Sequence, residues 1–263
     1  MKLIDFHAHV FPADIAAKAV ANLEEYYGCR WHGTGELDDL RGGAVEAGIS
    51  ATVIFSCATK PEQVININNF ISKLVDADPT RLIGFGTLHP DFGDFHSELR
   101  RISELGLRGL KFHPDFQNFA IDDPRMMRIY EAVGNDLVML FHVGDEHSDL
   151  SSPKRLATVL DAFPGARIVA AHLGGYMRWD EAEKYLIGRD LWLDSSSSLH
   201  RLPAETARRL IISHGVERVL FASDYPAARP AEAIEQLRSL KLPEDAMERI
   251  CHLNAEKLLG VEI

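Results

Sequence analysis

A closed (β/α)8 TIM barrel is the fold this sequence predicts, on three observations. Its 263 residues match the roughly 250 typical of one such barrel. Eight short apolar runs alternate with longer helical patterns, as expected of repeated βα units and a parallel sheet. Residues suited to binding one ion end the first and last of those runs, His7 and His9 after one and Asp224 after the other. In an open sheet with strands ~4.8 Å apart, those ends would stand on the order of tens of Å from each other. Sequential closure makes them neighbours, so the barrel and the ion site support one another.

The strands fall at residues 3–6, 51–55, 82–85, 109–112, 137–141, 167–171, 191–194 and 218–222. Their near-continuous apolarity suits strands covered on both faces. Between them, Pro61 opens a helix over 62–75, and Asp91 caps a segment running toward Leu105 with Gly106 as its stop. Pro203 opens 204–213 with Gly215 beyond, and a last helix over about 244–259 is expected to close the structure. The even rhythm breaks once, after strand one. Residues 14–27 carry Ile15, Ala19, Val20, Leu23 and Tyr27 near helical spacing and lead into an irregular stretch at 28–35. Loops after strands gather on the catalytic face of a barrel. The insertion at about 10–37 is therefore either a lid with Arg30, Trp31 and His32 as contacts, or an addition that serves stability alone. No linker or composition shift divides residues 1–263, so one domain is expected.

Composition is that of an ordinary globular chain, 46% hydrophobic and 25% charged. A formal net charge of −11 argues against nucleic acid, whose phosphates call for clustered Lys and Arg. It leaves a small anionic substrate open, because a bound dication and nearby arginines make a pocket locally positive. Cys29, Cys57 and Cys251 are odd in number and widely spaced. They form neither a disulfide framework nor a metal set and fit a reducing cytosol, with Cys57 read as a packed thiol. No run approaches ~18 apolar residues, and the first residues show no basic-then-apolar leader. A soluble cytoplasmic protein without membrane partners is expected, possible homodimer formation being left open.

His7 and His9 lie two apart on a strand and leave from the same face. One divalent ion could be held at ~2.0–2.1 Å from a nitrogen of each. Further polar residues mark other strand exits: Lys111 and His113 after strand four, His142 after strand five, and His172 before Gly174-Gly175 after strand six. A single histidine at a strand end is ordinarily a satisfied structural residue. Histidines after strands one, four, five and six, with Asp224 after strand eight, make a set. Zinc takes nitrogen and carboxylate ligands and keeps an open position when catalytic. Asp5, one step deeper on the His7 face, is either a hydrogen-bond partner of that ligand or a plain buried polar group. Arg178 and Arg229 follow the exits of strands six and eight, where a guanidinium either clamps a substrate carboxylate or meets solvent.

The stretches Ile4-Asp5-Phe6-His7-Ala8-His9, Gly109-Leu110-Lys111-Phe112-His113-Pro114, Leu140-Phe141-His142, Ala171-His172-Leu173-Gly174-Gly175 and Ala222-Ser223-Asp224-Tyr225-Pro226 occur in this order. With the ending Asn254-Ala255-Glu256-Lys257-Leu258-Leu259-Gly260, the set resembles the amidohydrolase superfamily. Within it the likeness is to the amidohydrolase-2 group, which includes aminocarboxymuconate-semialdehyde decarboxylase-like proteins. The resemblance covers nearly the whole chain and implies a metal held by His7, His9, His142 and Asp224. Asp224 would also move protons, and His172 would sit beside the metal-bound water. Lys111 lies where two-metal members carry a carboxylated lysine. In this group it commonly accompanies one metal, and it is read as a neutralising or substrate-binding cation. His113 is a substrate contact or a structural residue.

One divalent ion is therefore expected, zinc first, with Mn, Fe or Co able to occupy the same ligands. The first functional reading is hydrolysis of a small ester, lactone or amide through a metal-activated water, with Asp224 passing the proton and His172 stabilising the oxyanion. The second is non-oxidative decarboxylation of a small unsaturated or aromatic acid. In either case the substrate is expected to carry a carboxylate, with Lys111, His113 and Arg178 as candidate contacts. A TatD-type nuclease also begins with His-x-His, but it would place a Glu at a middle strand end where residues 86–90 have none. A binding protein that has lost its metal fits poorly with a complete ligand set.

Overall fold

The computed structural model describes residues 2–263. Each apolar run forms a strand: β1 (Ile4–His9), β2 (Ala51–Phe55), β3 (Leu82–Gly86), β4 (Gly109–Phe112), β5 (Val138–Phe141), β6 (Ile168–Ala170), β7 (Trp192–Asp194) and β8 (Val219–Leu220). They pair in sequence order, all parallel. The ring closes beyond the regular ladder. Phe6 N–H donates to Phe221 O at 2.9 Å, Asp224 N–H to His7 O at 2.9 Å, and His9 N–H to Tyr225 O at 2.7 Å. The first and eighth strand ends are thus neighbours, as the ion-site argument required.

Helices fill the connections: α1 (Ala13–Tyr27) and α2 (Leu37–Ala47) follow β1, and α3 (Val64–Ala77) and α4 (Phe95–Glu104) follow β2 and β3. Next come α5 (Pro114–Gln117), α6 (Pro124–Val133), α7 (Pro153–Ala162), α8 (Trp179–Tyr185), α9 (Ala204–His214) and α10 (Pro230–Ser239). The chain ends in α11 (Glu244–Glu248), a π-helical turn at Arg249–Leu253 and α12 (Asn254–Leu259), matching the closing helix read from sequence.

Side chains sort by strand periodicity. Ile4, Phe6, Val53, Phe55, Val138 and Leu140 fill the barrel interior, where Leu258 and Leu259 of α12 join them. Ile54, Leu110, Phe112, Met139, Phe141 and Ile168 face outward and pack under the helices. One boundary differs from expectation. Asp94, not Asp91, caps α4, accepting Ser97 N–H at 3.2 Å. Asp91 lies too far upstream to reach the free N–H groups of the first turn, and it pairs with Arg125 at 2.5 Å instead.

His214, at the end of α9, secures the approach to β7. Its Nε2 lies 3.0 Å from Leu191 O, and its Nδ1 accepts Gly188 N–H at 3.2 Å. Both contacts suit a neutral ring, and burial lowers its pKa from 6.5 to about 4. An unfolded chain takes up this proton near pH 6.5, whereas the folded one resists until about 4. The stability His214 confers is therefore intact above pH 6.5 and is lost as pH falls through that window, on the order of 3 kcal/mol in all. Urea midpoints measured from pH 7.5 down to 4.5 should fall less steeply for His214→Gln than for the wild type. Parallel curves would refute the assignment.

Candidate metal centre and active site

The geometry begins with an extra residue in β1. Asp5 pairs with Thr52 and Ala8 with Ile54, so β1 uses three residues where β2 uses two. Such a bulge re-aims side chains. Phe6 stays in the barrel interior and Ala8 packs in the outer shell, so His7 and His9 both turn into the mouth of the barrel. Asp5 turns toward the β8 exit and not to an imidazole. It accepts Ser223 N–H at 2.8 Å, Ser223 Oγ–H at 2.5 Å and His7 N–H at 3.2 Å. Burial raises its carboxyl to about 6 against those bonds. Of its two sequence readings, the buried hydrogen-bond role is the one seen.

His7 Nε2 lies 3.2 Å from His9 Nε2 and 3.1 Å from Asp224 Oδ1, and His9 Nε2 lies 3.8 Å from the same oxygen. These three atoms could hold one ion, and two observations bear on whether the residues suit it. Asp194 Oδ2 stands 2.8 Å from His7 Nδ1, which fixes the proton there and leaves the Nε2 lone pair for a metal. His142 Nε2 lies 2.8 Å from Gly144 O, so that nitrogen donates and Nδ1 is left bare. Gly144 has φ +87°, and a Cβ on it would meet Tyr176 O at 2.4 Å, which reserves this position for glycine. His142 itself stands outside the three-atom group, its Nδ1 2.9 Å from His172 Nε2.

Lys111 is wholly buried, its Nζ 3.2 Å from His7 Nε2 and 5.1 Å from the Phe55 ring centre. An ion and this ammonium compete for the same lone pair. Lys111 is not part of the cavity wall, so its position suits charge neutralisation better than substrate contact. Burial lowers its pKa, while Asp194 and Asp224 act to raise it.

His172 and Asp224 face each other, Nδ1 3.9 Å from Oδ2. Both adopt positive φ, +61° and +66°, a strained conformation for residues other than glycine and one that collects at functional sites. His172 N–H donates to Asp194 Oδ1 at 3.0 Å. Asp194 thus orients two histidines at once, and sequence reading gave it no role. The available signal was its place: it closes the seventh apolar run as the candidate residues close theirs. Burial would raise its carboxyl, but His7 and His172 bring it down to about 2. For Asp224 burial acts the same way, and His7, His172 and His9 hold it well below the usual carboxylate range. Burial lowers His172 to about 4.

His113 stacks on His142 with ring centres 3.9 Å apart, and its Nε2 lies 3.1 Å from Tyr27 Oη. Tyr27 comes from the insertion, whose C-terminal end is also tied by Tyr26 Oη–H donating to Asp145 at 3.0 Å. A cavity of about 1420 Å³ opens over the site, lined by His9, His113, His142, His172 and Asp224 at one end. Arg30, Trp31 and His32, from the insertion, line it. Arg178 does not. It pairs with Glu181 and with Asp149 at 3.2 Å and lines a separate depression, which removes it from substrate contact. Arg229 is likewise taken, by Asp39 at 2.7 Å. Arg201, in the loop after β7, is the arginine that sequence reading missed. It lines the cavity 5.1 Å from the Tyr176 ring centre. Cys57 lines the cavity too, its thiol pushed up to about 12 by burial. Among the described residues, no helix is long and apolar enough to cross a membrane.

A family model described as amidohydrolase matches residues 4–261. A 2-amino-3-carboxymuconate-6-semialdehyde decarboxylase of Dictyostelium discoideum is 27% identical over 165 residues, 49% of this chain and 45% of that protein. The chain thus matches under half the length of that relative. A dihydroxybenzoic acid decarboxylase of a Polaromonas species, solved with manganese and the inhibitor 2-nitroresorcinol, superposes with a TM-score of 0.75 at 17% identity, covering 98% of this chain and 97% of that one. A Pseudomonas putida chain carrying the provisional name 2-pyrone-4,6-dicarboxylic acid hydrolase gives 0.69 at 21% identity, covering 99% and 98%. At these identities the solved structures speak for the fold alone, a (β/α)8 TIM barrel.

If His7, His9 and Asp224 hold an ion, elemental analysis should find about one divalent metal per chain, and His7→Ala should lose it. Asp194→Asn should weaken metal affinity by ~10–100-fold through His7 alone, whereas Lys111→Met should keep the metal. Full occupancy in His7→Ala would sink the assignment.

Proposed function

The chain belongs to the amidohydrolase family, in its amidohydrolase-2 group, and from that premise we propose that it is a metal-dependent decarboxylase of a small unsaturated or aromatic acid. This was the second reading from sequence. It moves ahead of hydrolysis because the curated relative and the manganese-bound neighbour are both decarboxylases. The observation that carries it is the meeting of three ligand atoms and the Asp224–His172 pair beneath an aromatic wall. In that wall Tyr27 stacks on Trp31 and meets Tyr176 and Phe116 edge-on, with ring centres 5.6–6.2 Å apart. Such a wall suits a planar ring or conjugated acid.

His7, His9 and Asp224 are the residues that would hold the ion, with His142, whose Nδ1 here meets His172 Nε2, as the fourth ligand that the resemblance implies. When bound, the ion would polarise oxygen atoms of the acid. Loss of CO2 breaks the carbon–carboxylate bond and leaves its electron pair on the remaining carbon, which must take one proton. Asp224 and His172, Oδ2 and Nδ1 3.9 Å apart at the cavity's metal end, are the groups that would supply that proton to the carbon, with one water able to bridge them. Lys111, buried behind His7, offsets the carboxylate charge around them. The insertion that brings Tyr27 and Trp31 over the cavity acts as the lid in this reading, and His113, held by Tyr27, contributes to the wall. Hydrolysis of a lactone or ester remains the second reading, favoured by the Pseudomonas putida neighbour. There the same pair would take the proton from water.

Metal-loaded protein should release CO2 from hydroxybenzoates or conjugated dienoic acids. Asp224→Asn should lower turnover by ~10² or more in preparations that retain metal, and His172→Asn should do likewise with most of the metal kept. Ring opening of lactones with no CO2 from any acid would return the assignment to hydrolysis. Near-normal turnover in metallated Asp224→Asn would remove that residue from the proton path.

A further inference from the structure

The cavity extends well beyond its metal end. At about 1420 Å³ it exceeds the roughly 300–1,000 Å³ that encloses a drug-sized ligand. His9, His113, His142, His172 and Asp224 line its metal end, and residues of α1 and α3 line the same cavity. On α1, Ile15, Ala19 and Leu23 recur every four residues and so share one face. On α3, Ile67 and Phe70 stand three apart and do the same. All five line the cavity, and Ile15 is 47% exposed. Gln63 and Asn66 on one wall, with Lys18 and Asn22 on the other, supply polar groups along the strip.

The helix α1 buries only Ala16. Its C-terminal end is latched by Tyr26 to Asp145 and Tyr27 to His113. An apolar helix face turned to an open gap gains stability only when something apolar fills that gap. The gap is continuous with the space in front of His9 and Asp224, and it lies between two helices of the same chain. Both features favour an extension of the substrate over a second protein chain.

We propose that the strip between α1 and α3 is a second subsite, which takes an apolar substituent of several carbons on the acid bound at the metal end. The inference rests on the proposed reading of that end and narrows it to acids bearing an alkyl or aryl extension. Ile15, Ala19 and Leu23 form one wall and Ile67 and Phe70 the other.

Calorimetric titration of zinc-loaded protein with benzoate and its 4-ethyl, 4-butyl and 4-hexyl derivatives tests this. Affinity should rise by about four-fold per methylene that enters the strip. Ala19→Trp, which fills the strip from a half-buried helix position, should flatten the series and leave benzoate itself unchanged. Phe70→Ala should make it shallower. A flat series in the wild type, or the same slope in both variants, overturns the subsite. Metal-dependent benzoate binding with a flat series overturns the subsite alone. A rising series that persists without metal, while benzoate fails to bind, supports the subsite and overturns the reading of the metal end. A dimer in solution that Ile15→Asp separates would put a second copy on the strip and overturn the proposal.

Discussion

The contact between Asp194 and His7 is the one on which the site depends. Both side chains are fully buried, 2.8 Å apart and 187 residues apart in sequence. A buried carboxylate is tolerated only when its lone pairs are met. Asp194 meets this condition with His7 Nδ1, His172 N–H and Ser196 N–H. In return it sets which nitrogen of His7 carries the proton and therefore where the free lone pair points. The same carboxylate steadies the backbone of His172 in a left-handed conformation that a histidine does not favour alone. Removing it would leave a buried imidazole without its partner and a strained turn without its anchor.

That contact joins the ends of β1 and β7, and through His172 the exit of β6, at one end of the barrel, whereas the fold that brings them there was legible from simpler patterns. Eight runs of apolar residues became eight strands because a strand covered on both faces has no use for alternation. The ring closes through backbone hydrogen bonds between the β1 and β8 ends, as the ligand-type residues at the first and last apolar runs predict. The helix termini at Pro61, Pro203 and the closing helix were readable from local chemistry. Asp91 was misplaced as a cap because any acidic residue near a helix start looks alike in sequence, whereas capping needs the residue immediately before the first turn.

The site was less legible, for a physical reason. A strand end shows which residues point to the mouth, so His7, His9, His142, His172 and Asp224 could be named. It does not show register. The bulge in β1 exists only in relation to β2, and it moved Asp5 off the side assigned to it. Asp194 shows its role only through a partner far along the chain. Loop arginines were the weakest inference. Arg178 had acidic neighbours in Glu181 and Asp149 to satisfy it, while Arg201 has no carboxylate partner among the described residues and lines the cavity. Nearby acids decide whether an arginine is free for a ligand, and proximity of that kind belongs to the folded chain.

Charge bears on how an acidic protein would accommodate the acid proposed for it. The chain carries a formal −11, and at the site the buried Asp194 and the largely covered Asp224 set two negative charges beside the buried ammonium of Lys111. Left at that, the metal end would carry a net negative charge, with Arg30 and Arg201 on the cavity wall. A divalent ion at His7, His9 and Asp224 would reverse the local sign and leave one net positive charge there. Lys111 then becomes intelligible as part of that balance. Low dielectric around it magnifies each charge, so an ammonium 3.2 Å from His7 Nε2 offsets one of the two carboxylates and would turn away from that lone pair when a dication took it. Lysine and ion would share one lone pair in turn while both charges stay in the balance, which gives a fully buried cation beside a ligand histidine its physical reason.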